Sequence, residues 1–227
     1  MCADRKEEPM RRTISSCVAL LVTLVSTAAS ADFAERGTFS ISADRLFGVY
    51  LTQVHWDPDG ADSQDVDTTE IGLLWQGGRA LPYTRPRANI DYFVIDHLSI
   101  GGTIAYYNVA GDNDGLYADE GSSFLFGPRV GGAWMFNDWA GIWPRGGINY
   151  YSMAFGNDTK VWQLTFTAEA AFVLSPWENF AFTVGPAFDI GMAGKLDYDG
   201  PGPDYDYPVH AHSFGLLSVG VMGYFNL

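Results

Sequence analysis

The most constraining stretch of the chain is Val161–Leu174, VWQLTFTAEAAFVL, in which oily and polar side chains take turns. Trp162, Leu164, Phe166, Ala168, Ala170, Phe172 and Leu174 fall on one face, and Gln163, Thr165, Thr167 and Glu169 on the other. Successive side chains of a strand point to opposite sides, so a period of two predicts a β-strand with one apolar and one polar face. Phe180–Met192 repeats the pattern, with Phe180, Phe182, Val184, Pro186, Phe188, Ile190 and Met192 opposite Thr183, Gly185 and Asp189. Ser175–Asn179 between them reads as a tight turn. Such a hairpin separates two unlike media, and we read it as two staves of a membrane-spanning β-barrel. In a soluble barrel or sandwich the same aromatic face would instead be a core.

The 227 residues are one domain's worth of chain once the N-terminus is set aside. Met10–Ala31 has the parts of a secretory signal: Arg11 and Arg12, an apolar run over Val18–Val25, and Ala29-Ser30-Ala31 as a small-residue cleavage site. That run is too short for the roughly 20 residues of a spanning helix. The polar Met1–Pro9 before it suits a start assigned too early. The expected domain division is therefore 1–31 as signal and misplaced start, and 32–227 as barrel. Both cysteines, Cys2 and Cys17, lie in the first part, which leaves the barrel without thiol chemistry. Without residues 1–31 the balance is 9 basic against 24 acidic residues, a net charge of −15. So acidic a chain argues against nucleic acid or anionic lipid as an electrostatic partner. No later stretch approaches 18 consecutive apolar residues, so no helical span is predicted, and a barrel leaves no such run.

In order, Phe39–Val54 is the first strand, and Arg45, on its apolar face, is the worst fit in the pattern; a bulge or a site at the membrane boundary would account for it. His55–Thr69, with five aspartates, reads as a solvated loop. Glu70–Trp75 is strand-like but cut off by Gly77-Gly78, Pro82 and Pro86, and reads as part of that loop or as a strand rising above the membrane. The second spanning strand starts near Arg87. Asp96-His97 turns into Leu98–Tyr107, the loop Gly111–Gly121 leads to Phe124–Phe136, and Asn137-Asp138 turns into Ala140–Phe155. After the hairpin, the acidic Lys195–Pro208 precedes the last strand, Val209–Leu227. Tight turns alternate with long acidic loops, as in barrels whose short turns are periplasmic. The expected fold is all-β: a closed antiparallel transmembrane β-barrel of eight strands, or ten if Glu70–Trp75 spans with an unseen partner.

Backbone groups left unpaired in hydrocarbon cost several kcal/mol each, so a sheet persists there only when closed. Trp134, Phe136, Trp139, Trp177 and Phe180 cluster by the tight turns, and Tyr106, Tyr150, Phe155 and Trp162 near the loops, as two aromatic girdles would. The inward set carries Arg87, Arg129 and Arg145, with Arg85 just before, against Asp44, Asp91, Glu169 and Asp189. Eight strands enclose a space that side chains fill, so a packed, ion-paired lumen is expected, with a narrow polar path as the alternative.

Few residues suggest chemistry. His210 and His212 point the same way near Asp204 and Asp206, a weak signal for a divalent metal or a rim hydrolase. Asp57, Asp59, Asp62, Asp112, Asp114 and Asp119 offer oxygens without the spacing of a calcium loop, and read as solvated faces that loosely collect divalent cations. No catalytic, cofactor-binding or metal residue is assigned, and no cofactor is expected.

The signal, the alternating strands, the turn and loop asymmetry and the final Val219-Gly-Val-Met-Gly-Tyr-Phe225 resemble the small outer-membrane β-barrel proteins of Gram-negative bacteria, of the OmpX, OmpW and OmpA-domain kind. The resemblance is one of pattern over nearly the whole barrel. It implies outer-membrane lipid as surroundings, assembly by the barrel assembly machinery, which reads a terminal aromatic residue, and a monomer. Here Phe225 is followed by Asn226 and Leu227, a departure from that ending. The expected role is non-enzymatic, structural or in surface interaction, with a narrow pore or a lipid-modifying barrel as alternatives.

Overall fold

The computed structural model describes residues 33–56, 64–73, 84–109, 121–155, 159–198 and 205–226. The strands there are β1 (Thr38–Trp56), β2 (Gln64–Leu73), β3 (Arg87–Ile95), β4 (Leu98–Val109), β5 (Gly121–Gly132), β6 (Trp134–Asn137), β7 (Ala140–Phe155), β8 (Thr159–Trp177), β9 (Phe180–Tyr198) and β10 (Tyr205–Asn226). Antiparallel pairing runs in the order β1, β3, β4, β5, β7, β8, β9, β10, and β10 pairs back onto β1, which closes the sheet into a barrel. β2 and β3 share one edge of β1: Phe39–Asp44 pair with Tyr92–Arg87, and Phe47–Trp56 with Leu73–Gln64. They are the upper and lower halves of a single stave. β5 and β6, interrupted at Ala133, likewise both pair with β7. The ring therefore has eight staves among the described residues, and the ten-stave alternative is excluded.

Within that frame three expectations shift. β1 runs on to Trp56 and β2 begins at Gln64, so the ends of the expected loop His55–Thr69 are strand. Above the hydrocarbon a ladder has water on its outer side and needs no apolar face, so hydrogen bonding persists where the alternation fades. Asn137 pairs with Ala140, which moves the turn to Asp138-Trp139. The Asn137 carboxamide oxygen accepts from the backbone N–H of Trp139 (3.1 Å) and Ala140 (2.8 Å), closing it as an Asx turn. The expected loop Lys195–Pro208 shrinks as His55–Thr69 does, since Lys195–Tyr198 continue β9 and pair with Tyr205–Pro208 of β10. The expected loop Gly111–Gly121 lies mostly outside the described residues, as do residues 199–204 and the aspartates from Asp57 to Asp62 and from Asp112 to Asp119.

Register fixes the shape. One rung runs from Ser40 through Asp91, Gly101, Arg129, Gly147, Thr167, Asp189 and Ser213, and returns to β1 at Thr52, twelve residues beyond its start. With strands about 4.8 Å apart and about 3.3 Å of rise per residue, that stagger tilts the staves by roughly 45°. The rung consequently climbs as it passes from β3 round to β10.

The exterior is oily. Phe166 and Phe182, on the apolar face of the hairpin, are 40% and 37% exposed, whereas Arg145 is 7% exposed. Ile41, Ile90, Ile100, Ile104, Val130 and Ile148 continue the exposed apolar band around the other staves. A band of this extent in water would be an association surface, far larger than monomers tolerate. Trp134, Phe136, Trp139 and Trp177 stand exposed near the tight turns, and Tyr150 stacks on Trp162 at 6.4 Å towards the loops. The molecule is a closed transmembrane β-barrel of eight staves, oily outside and polar within.

Candidate functional site in the barrel lumen

Three layers of side chains fill the interior. At the tight-turn end the segment before β1 folds back beneath the staves. Ala34 takes a left-handed conformation (φ 79°), and its carbonyl accepts from His97 N–H at 2.8 Å, while Gly37 N–H donates to the Phe93 carbonyl at 2.9 Å. This anchors Phe33 in the opening, where its ring meets Phe93 (5.3 Å), Trp143 (5.3 Å) and Tyr224 (5.4 Å) edge to face. Val173, Ala181 and Met222 complete this buried apolar cork.

The middle layer is ionic. Its fourth arginine is Arg45, not Arg85. On β1 the four steps from Ala43 to Phe47 face only two on β10, from Val221 to Val219, and Arg45 sits in that bulge with φ 61°. The bulge turns Asp44 and Arg45 into the lumen together, which resolves the misfit in the alternation. The Arg45 guanidinium grips Asp189 through two contacts (2.6 and 3.2 Å) and reaches Glu169 at 3.4 Å. Arg145 joins Glu169 (2.8 Å) to Asp44 (3.0 Å), and Arg129 joins Asp44 (3.0 Å) to Asp91 through a second two-pronged pair with Nε at 2.8 Å. Arg87 reaches Asp189 at 3.5 Å. The result is an unbroken chain of alternating sign, Asp91, Arg129, Asp44, Arg145, Glu169, Arg45, Asp189, Arg87, drawn from β1, β3, β5, β7, β8 and β9. Arg85 instead lies buried towards the loops with its guanidinium 5.2 Å from the centre of the Tyr107 ring, whose hydroxyl donates to the Pro86 carbonyl.

Neutral polar groups tie the chain to the wall. Thr167 donates to Asp189 at 2.6 Å, and Asn149 donates to Thr167 at 2.7 Å. Trp143 links belt and cork: Arg145 lies 4.6 Å and Arg129 5.6 Å from its ring, and its indole N–H donates to Ser99 at 3.2 Å. Glycine makes room at Gly101, which stands between Asp91 and Arg129 on the rung. A Cβ there would lie 2.4 Å from the Asp91 carboxylate oxygen and 2.2 Å from the Ile90 carbonyl. The belt leaves a cavity of about 20 Å³ beside Thr103, Asn149 and Arg145, space for one water.

Above the belt the lumen closes again on Tyr50, Leu125, Tyr151 and Gln163, each at most 1% exposed. Gln163 donates to the Ala211 carbonyl at 3.1 Å, and Thr52 to Ser213 at 3.3 Å. Of the residues expected inside, Arg87, Arg129, Arg145, Asp44, Asp91, Glu169 and Asp189 are brought together. Phe33 and Trp143 were not anticipated; an aromatic ring just ahead of the first strand was the only sequence sign of the cork.

His210 and His212 do share a face, and it is the outer one, half-exposed, whereas their neighbours Val209, Ala211 and Ser213 are buried. Asp204 and the side chain of Asp206 lie outside the described residues. Among the described residues no three His, Cys, Asp or Glu side chains converge as metal ligands would.

No protein-family model matches this chain, and no curated protein matches its sequence. Similar solved structures include Neisserial surface protein A (13% identity, TM-score 0.42, covering 83% of this chain and 99% of that one). Ail, the attachment invasion locus protein of Yersinia pestis, has 13% identity and a TM-score of 0.34, covering 82% and 99%. The outer membrane protease OmpT of Escherichia coli has 8% identity and a TM-score of 0.42, covering 88% and 100%. Likeness at this level says nothing about activity.

Proposed function

We propose that this outer-membrane β-barrel is a non-enzymatic envelope protein that conducts nothing, and that its role lies at its surface. The observation that carries the reading is the lumen, filled in turn by an aromatic cork, an ion-paired belt and a tyrosine-bearing upper layer. A narrow pore needs a continuous wet path, and the cavity beside Thr103, Asn149 and Arg145 in the belt has room for about 20 Å³. With the tight turns in the periplasm, the ends of β1, β2, β8, β9 and β10 that carry Asp65, Asp67, Lys160 and Asp197 rise outside the cell. β1, β8, β9 and β10, 19 to 22 residues long, outreach the 12-residue β4 and β5 opposite, so among the described residues one flank stands above the hydrocarbon as a sheet available for contact. Reconstitution in planar bilayers tests the reading: the folded barrel should give no discrete openings, and reproducible unitary currents would overturn it.

A further inference from the structure

The basic residues of the barrel are unevenly placed. Arg45, Arg87, Arg129 and Arg145 make the belt, Arg85 is buried towards the loops, and Arg36 is exposed at the tight-turn end. The only two lysines of residues 32–227, Lys160 and Lys195, stand together on the outer wall towards the loops, and among the described residues no other lysine or arginine shares that wall. Register brings them together. Trp162 of β8 pairs directly with Lys195 of β9, while Lys160, two residues before Trp162 on the same face, pairs with Asp197. Diagonal neighbours of this kind lie about 7–8 Å apart, so two long side chains can meet at one ligand. Lys160 is exposed, and the Lys195 side chain, 38% exposed, contacts Asp197 at 2.8 Å. A pair so open to water contributes at most about 1 kcal/mol, which leaves the Lys195 ammonium able to turn to a stronger partner.

Beneath the lysines the wall is aromatic. Phe124, Phe126, Tyr150 and Trp162 follow one another with ring centres 5.4, 5.6 and 6.4 Å apart, an unbroken track across β5, β7 and β8. Rungs climb from β4 towards β9, so the track begins beside Ile104 and Tyr106 in the apolar band and ends under the two ammoniums. Towards β7 the partners of Trp162 and Lys160 are Ser152 and Ala154, both neutral, and Asp197 lies on the far side.

We infer that this corner of the outer wall binds lipid A, the phosphorylated glucosamine disaccharide that anchors lipopolysaccharide in the outer leaflet. Lys160 and Lys195 donate to one of its phosphate monoesters, Trp162 carries the sugar, and the acyl chains descend over Tyr150 and Phe126. The inference goes beyond the proposed function and rests on the barrel having its tight turns in the periplasm, which sets both lysines at the outer leaflet. Charge selects the occupant: a phosphate monoester carries about −1.5 to −2 at pH 7 and suits two ammoniums, whereas a zwitterionic phospholipid brings a cation of its own. The acidity of the whole chain does not oppose this. Exposed charges farther away than about 8 Å are largely screened in physiological salt, so the nearest groups decide.

The test is native mass spectrometry of the detergent-solubilised full barrel, incubated in turn with lipid A bearing both phosphates, with the same lipid after phosphatase treatment, and with phosphatidylethanolamine. One phosphorylated lipid A should be retained per barrel, roughly tenfold or more tightly than either other lipid, the scale of a charge-assisted hydrogen bond. Lys160→Gln with Lys195→Gln should abolish the preference, Lys160→Arg with Lys195→Arg should keep it, and Arg36→Gln should leave it unchanged. Trp162→Ala should weaken retention of phosphorylated and dephosphorylated lipid A alike. None of these side chains faces the lumen, so heat-modifiable gel migration should show every variant folded. Equal retention of the phosphorylated and dephosphorylated lipids, a preference that survives the loss of both lysines, or one that falls as far in Arg36→Gln would overturn the inference. Each of these outcomes leaves the proposed function standing, since that reading falls only on currents in planar bilayers.

Discussion

Arg129 holds the most exposed link of the ionic chain, because it alone connects Asp91 to the rest. Removing one partner of a buried pair strands the other charge, which typically costs about 3–5 kcal/mol. Arg129→Ala should therefore lower the unfolding free energy in micelles by about that much, since it leaves both Asp91 and Asp44 short of a partner. Adding Asp91→Asn to it should restore part of the loss, measured by urea unfolding monitored by tryptophan fluorescence. A single variant within about 0.5 kcal/mol of the parent, the range of ordinary surface changes, would mean that the pair contributes nothing. The charges themselves were legible in the sequence, because Arg87, Arg129, Arg145 and their four carboxylates keep strict alternation. Arg45 was legible only as a misfit. A bulge shifts two residues at once, so the rule that exposed the error could not say where the side chain went, and Arg85, next to a proline-rich break, stood in its place.

At the scale of the element, β8 and β9 show why so much of this fold can be read directly. Each crosses the whole hydrocarbon with lipid on one side and the polar lumen on the other, so every second residue reports the same boundary. Where one of those media disappears the signal goes too: the outward residues of β2 change from Asp65, Asp67 and Thr69 to Ile71 and Leu73 within one short strand, and only the lower ones look like strand. The cork lies outside the pattern altogether. Phe33 precedes the first stave, and its partners Phe93, Trp143 and Tyr224 come from β3, β7 and β10, a meeting that only ring closure produces. Its contribution is measurable. Phe33→Ala removes a buried ring held by three edge-to-face contacts and should cost about 3 kcal/mol, seen as a fall in the temperature at which the compact, faster-migrating form is lost on gels. An unchanged transition would show that the segment merely rests against the opening.

For the whole molecule, the three lumen layers act in series, so permeability and stability should respond differently to substitution. A current through the barrel must pass cork, belt and upper layer, and opening one leaves two closed. Stability has no such redundancy, because each lost contact subtracts directly from a small net free energy. Arg129→Ala and Phe33→Ala should accordingly both unfold more easily than the parent while remaining silent in planar bilayers at room temperature. The same two proteins should also exclude small solutes in liposome-swelling assays. Unitary currents in the Phe33→Ala barrel alone would identify the cork as the sole seal and would make the ionic belt a wetted path, whereas currents in Arg129→Ala alone would place the barrier in the belt. Silence in both, together with the expected loss of stability, is the outcome that a barrel filled along its length requires.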